Sequence, residues 1–135
     1  MKCYNFFIFL LLILVAGCHY HKSGMIIRNE TNKKICYSTL TKDKDGEFYE
    51  ISAGGHIDSY NSTSPIVRGR SDSFKFEINS YADKLIYVAF FRPEEQQDVL
   101  KNIDSVLKIG KIKVLKFSKK ELDSLNWTIT YTENN

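Results

Sequence analysis

Few residues in this chain could act as nucleophiles, bases or metal ligands: three cysteines (Cys3, Cys18, Cys36) and three histidines (His19, His21, His56). Nucleophilic catalysis needs a Ser or Cys activated by an adjacent base, and the sequence holds no G-x-S-x-G elbow. His56 is the one histidine beyond the amino-terminal 24 residues. A small hydrolase using Cys36 or a serine with His56 is therefore the enzyme this composition permits. The simpler reading makes Cys36 a small hydrophobe within a strand and His56 a turn residue. The His19-x-His21 pair has no Cys, Asp or Glu beside it to complete a metal set, and reads as linker. In Asp43-Lys44-Asp45-Gly46, taking Gly46 as the glycine of a calcium loop puts the first and last ligand positions on Thr41 and Ser52, neither of which is acidic. A turn is the better reading. The remaining carboxylates are scattered among expected turns and helix ends, and no phosphate-binding glycine loop occurs. No metal and no cofactor is expected.

Cys18 stands apart because of what precedes it. Lys2 is followed by an unbroken apolar run, Phe6 to Val15, and then by the small residues Ala16 and Gly17. That is the layout of an export signal. Ten apolar residues span only about 15 Å as a helix, roughly half a bilayer's hydrocarbon core, so the run cannot anchor the protein by crossing. Val15-Ala16-Gly17-Cys18 resembles the bacterial lipobox, in which the cysteine thiol receives a diacylglyceryl group before the peptidase cuts. The expected organisation is a signal peptide over residues 1–17, a lipidated cysteine and tether over 18–24, and one globular domain over 25–135. Acyl chains contribute about 0.8 kcal/mol per buried methylene, so two or three of them hold a protein at a membrane. The expected location is the cell envelope, at the outer membrane and facing the periplasm, since no acidic residues follow Cys18 to serve as a surface-export tag.

Removing residues 1–17 takes away Lys2 and no acid, so the net charge falls from +3 to +2. That is too small a field to gather nucleic acid, and no nucleic-acid partner is expected. The strongest charge feature is the lysine series at positions 108, 111, 113, 116, 119 and 120. Anionic lipid or an acidic partner could meet it, but lysines that keep a strand edge from pairing explain it more simply. Contact with an envelope protein or glycan is expected instead through residues 56–72, a stretch rich in turn formers, with His56, Tyr60, Arg68 and Arg70 as the binding candidates.

These positions must be held by a modest core. Met25–Arg28 and Lys34–Leu40 read as a hairpin around an Asn-rich turn, Phe48–Ile51 as a further strand, and Gly54-Gly55 as a turn. Ser73–Ile78 alternates Phe74, Phe76 and Ile78 with polar residues and reads as a half-buried strand. Leu85–Phe91 is apolar throughout, which places it centrally with both faces covered. From Pro93 to Gly110 a stripe of Val99, Leu100, Ile103, Val106 and Leu107 predicts one amphipathic helix. Lys111–Phe117 returns to strand, with a bulge at Leu115. Ser118-x-x-Glu121 is a capping box opening a short helix, and Trp127, Ile129 and Tyr131 mark a last strand. The fold class predicted is α+β: a mainly antiparallel, sandwich-like sheet domain with two helices near the carboxyl terminus.

The run Lys111 to Tyr131, K-I-K-V-L-K-F-S-K-K-E-L-D-S-L-N-W-T-I-T-Y, resembles the carboxyl-terminal signature of small lipoproteins of unknown function from Bacteroides and its relatives. There a strand ends at Ser or Thr, a short helix carries two Leu, and Asn-Trp opens a strand ending in Tyr. Where many members place Pro after that Tyr, this chain has Thr132. The resemblance implies a lipid-anchored protein and no particular activity. Asp104-Ser105-Val106 and Asp123-Ser124-Leu125 also resemble the glycan-attachment motif of such bacteria, although Asp and Ser are ordinary on a helix surface. The function expected is a non-catalytic binding or accessory domain. The alternatives are the hydrolase above and an inhibitor or immunity protein acting against an envelope toxin.

Overall fold

The computed structural model describes residues 20–110 and 112–133, so the expected signal peptide, Cys18 and His19 lie outside the described residues. The strands are β1 (Tyr20–Lys22), β2 (Ile26–Asn29), β3 (Ile35–Lys42), β4 (Phe48–Ile57), β5 (Ser62–Thr63), β6 (Ile66–Arg68), β7 (Leu85–Phe91), β8 (Lys113–Ser118) and β9 (Thr128–Tyr131). The helices are α1 (Ser73–Glu77), α2 (Gln96–Lys101), α3 (Ile103–Lys108) and α4 (Lys119–Ser124). A six-stranded sheet runs β1-β6-β4-β3-β7-β8 and a three-stranded sheet runs β5-β2-β9. Every pairing is antiparallel except β2 with β9. The fold is thus α+β, mainly antiparallel and sandwich-like.

Two apolar layers hold it. Between the sheets lie Met25, Ile27, Ile35, Tyr37, Ile57, Val88, Phe90 and Ile129, with Phe74 of α1 and Leu122 of α4 packed into the same layer. On the opposite face of the large sheet, Leu40, Tyr87, Ala89 and Phe91 meet Val99 of α2 and Val106 of α3. β7 contributes to both layers and pairs with β3 and β8, so it is covered on both faces as its unbroken apolar sequence demands, but it lies next to the edge strand β8 and not at the centre of the sheet.

Several expected elements form differently. Met25–Arg28 and Lys34–Leu40 do not make a hairpin: β2 joins the small sheet and β3 the large one. The crossing between them is secured by Asn29, fully buried, whose Nδ2 donates to the carbonyls of Lys33, Ile57 and Asp58 while Oδ1 accepts from the Thr31 amide and hydroxyl. These bonds tie the 29–33 segment to Ile57 and Asp58 at the end of β4, so the chain crosses between the sheets instead of closing a hairpin. The segment expected as strand 73–78 is helix α1 followed by a 3-10 turn at Ile78–Ser80. Phe74 and Ile78, four residues apart, share its buried face, whereas Phe76 is 62% exposed. Gly54-Gly55 is not a turn but part of β4. A Cβ on Gly54 would sit 2.5 Å from the Tyr37 carbonyl oxygen, so glycine permits the close approach of the two strands.

The amphipathic helix from Pro93 is interrupted at Asn102 (φ −161°, ψ 89°), whose side chain accepts from the Ser105 amide and starts α3 afresh. β8 pairs with β7 in unbroken register, without the bulge expected at Leu115; irregular pairing lies instead between β3 and β4 near Thr39. Tyr20–Lys22, expected as tether, pairs with β6 as an edge strand. No helix among the described residues is long and apolar enough to cross a membrane.

Candidate functional site

The pair Cys36 and His56 is brought together by the fold: they face each other in the β3–β4 register. The chemistry does not follow. Cys36 is 2% exposed and lies in the layer beneath α2 and α3. Burial pushes its thiol above the ordinary value, Lys34 opposes that shift and Glu94 adds to it. An apolar, uncharged thiol is a poor nucleophile. Among the described residues no hydrogen bond links it to His56, whose side chain points into solvent at the far end of β4.

Tyr60 occupies a different place. Its left-handed backbone (φ 54°) and an amide bond to the Thr31 carbonyl, 3.1 Å, present the ring outward, 73% exposed. It borders an open groove of about 570 Å³ with Arg28, Asn29, Glu30, Asn61 and Ser62. Arg68 and Arg70 lie elsewhere, Arg68 as the last residue of β6 and Arg70 just after it. Arg68 opposes Tyr20 across the β1–β6 ladder. Arg70 binds Asp72, Nε to Oδ1 at 3.1 Å, and stacks 4.6 Å over the Phe76 ring. From the single β4–β6 register, Ala53 to Ile66, Arg68 and His56 are separated by about five residues of strand, on the order of 17 Å. The four candidates of the 56–72 region therefore do not converge on one site.

What sequence reading missed is the gap between β8 and β9. Each is the outer strand of its sheet, so each carries an edge that no other strand covers among the described residues. Between them runs an open trough of about 550 Å³ lined by Leu115, Lys116, Phe117, Leu125, Thr128 and Ile129, among others. Leu115 and Phe117 are half-buried, resting on the inter-sheet layer, and Leu125 is 44% exposed. Lys113 spans one end, its Nζ 3.4 Å from the Thr132 carbonyl and 5.3 Å above the Tyr131 ring. The lysine series is thus divided among separate tasks: Lys113 bridges the strands, Lys119 pairs with Asp123 at 3.0 Å, and Lys116 stands exposed on the edge.

The other end of the trough is the α4–β9 junction, where the Asn-Trp of the carboxyl-terminal run acquires a physical meaning. Ser118 and Glu121 form the expected reciprocal cap. Asn126 (φ 49°) and Trp127 (φ 56°) are both left-handed, ending α4 and turning the chain back into β9. The strain is offset by the Trp127 amide donating to Leu122 at 2.8 Å and the indole Nε1 donating to Asp123 at 2.8 Å. The indole bond first, and the Lys119 bond second, hold the Asp123 carboxyl below its ordinary value. Ser124, in one of the two Asp-Ser motifs, donates its hydroxyl to the Glu121 carbonyl at 2.7 Å; Ser105, in the other, is exposed on α3. No group of three or more potential metal ligands occurs among the described residues. Comparison of the chain with family models, curated proteins and solved structures finds no match to any of them.

Proposed function

We propose that this is a lipid-anchored cell-envelope protein, acylated on Cys18, held at the outer membrane facing the periplasm, and acting as a non-catalytic binding or accessory domain. Two observations support the anchor. The Val15-Ala16-Gly17-Cys18 run follows directly on an export-type apolar segment. The resemblance of Lys111–Tyr131 to Bacteroides lipoproteins points the same way.

The binding role is carried by the β8–β9 trough. Two strand edges that no other described strand covers flank an apolar floor, the arrangement that accepts an extended segment of another protein by strand addition: backbone bonds supply affinity and the floor selects side chains. The partner class proposed is therefore an envelope protein offering an extended apolar segment. Mass spectrometry of protein purified from its native envelope is expected to show a fatty-acylated residue 18 at the amino terminus; any other amino terminus refutes the anchor. Hydrogen exchange compared between native envelope membranes and purified protein in detergent is expected to show added protection in β8 and β9 only in the membranes. Equal exchange in both refutes the trough as a binding site.

A further inference from the structure

Resting on the anchored reading, the position of β1 says how the domain sits on its membrane. Among the described residues the β1–β6 ladder begins at Tyr20, two residues after Cys18. Two residues span at most about 7 Å, so an acylated Cys18 would bring Tyr20 to the headgroup layer. Across the β1–β6 ladder Tyr20 faces Arg68 and Lys22 faces Ile66. Directly opposed residues point to the same side of a sheet, so these four share one face, while Val67, opposite His21, is buried between the sheets. All four are exposed: Tyr20 by 67% and Ile66 by 48%, with Lys22 and Arg68 beside them. An amphipathic aromatic, an aliphatic and two cations with no acid among them match the interface of a phospholipid bilayer, where tyrosine sits at headgroup depth and basic side chains meet phosphate.

β1 is also more than a flexible leash. Ser23 donates its amide to Pro65 at 2.7 Å and Gly24 donates to Ser71 at 2.7 Å, which fastens the chain to the domain immediately after the strand. A lipid attached this close to a fastened strand restricts the domain's tumbling. We infer that the β1–β6 face of Tyr20, Lys22, Ile66 and Arg68 rests on the phospholipid headgroups, giving the domain one fixed orientation. β8 closes the opposite edge of the six-stranded sheet, five strand spacings or on the order of 24 Å away, so the β8–β9 trough lies clear of this contact.

The test uses the full acylated protein reconstituted in phosphatidylethanolamine–phosphatidylglycerol vesicles with brominated acyl chains, reading the added tryptophan fluorescence of Ile66→Trp and, as a control at a distant loop, Tyr60→Trp, each against the parent protein. Ile66→Trp is expected to be strongly quenched and Tyr60→Trp hardly at all. Combining Ile66→Trp with Lys22→Gln and Arg68→Gln is expected to weaken the quenching at least about two-fold, as is high salt, which screens the phosphate contacts. Equal quenching at positions 66 and 60, or quenching at 66 that ignores the charge changes, in protein that still co-floats with the vesicles overturns the fixed seating and leaves the anchor standing. Acylation-competent protein that fails to co-float overturns both.

Discussion

At the scale of single residues, the structure assigns most of the conspicuous polar side chains to holding the chain rather than to chemistry. Asn29 ties the β2–β3 crossing, and Thr39 and Ser52 bond each other beneath the irregular part of the β3–β4 pairing. Asp123 is the clearest case with a pH signature. Its carboxylate accepts from the Trp127 indole and from Lys119, and these interactions lower its pKa from the ordinary 3.8. A carboxylate depressed in the folded state adds stability above its unfolded pKa and loses that contribution as pH falls through the folded value. Asp123→Asn is accordingly expected to lower the urea midpoint at neutral pH, with the gap to the parent closing as pH falls below about 4. Urea titrations at a series of pH values check this, and a pH-independent gap refutes it. The same bookkeeping places Cys36 among packing residues: a thiol that burial makes harder to ionise fills space between β3 and the helices.

At the scale of elements, α1 shows how one pattern supports two readings. Phe74, Phe76 and Ile78 alternate as a strand would, but Phe74 and Ile78 are also one helical turn apart. The two geometries differ only in the fate of Phe76, which the helix leaves in solvent. Phe74→Ala is expected to cost about 3–5 kcal/mol and Phe76→Ala no more than about 0.5 kcal/mol, measured by urea unfolding. Comparable losses at both positions would restore the strand. The break at Asn102 is a similar competition. The apolar stripe continues through it, yet an Asn that caps the Ser105 amide satisfies a helix start as well as it tolerates a helix interior.

At the scale of the whole molecule, the arrangement is governed by its sheet edges. One end of the large sheet is β1, beside the expected lipid; the other is β8, beside the trough. An uncovered edge invites pairing with another copy, and an exposed lysine is a common protection. Lys116 is the exposed cation of β8. Lys116→Val is expected to increase self-association severalfold in sedimentation velocity with no loss of folded stability; an unchanged monomer would show that the edge is guarded by other means.

Some of this is legible in the sequence alone, because it depends only on neighbouring residues. The covering of β7 on both faces follows from an apolar run, the start of α4 from Ser118 and Glu121 three residues apart, and the Asp43–Glu47 turn from an Asp side chain that accepts two nearby amides. What only the tertiary structure decided is pairing at a distance: that β2 leaves β3 for β9, that Gly54 lies inside a strand, that His56 and Arg68 stand far apart, and that two outer strands leave a trough between sheets. Such outcomes depend on which apolar faces meet and which backbone edges remain over. A local pattern can state that a residue is to be buried, but not against what, since burial is non-directional and its partner is chosen by the whole chain at once.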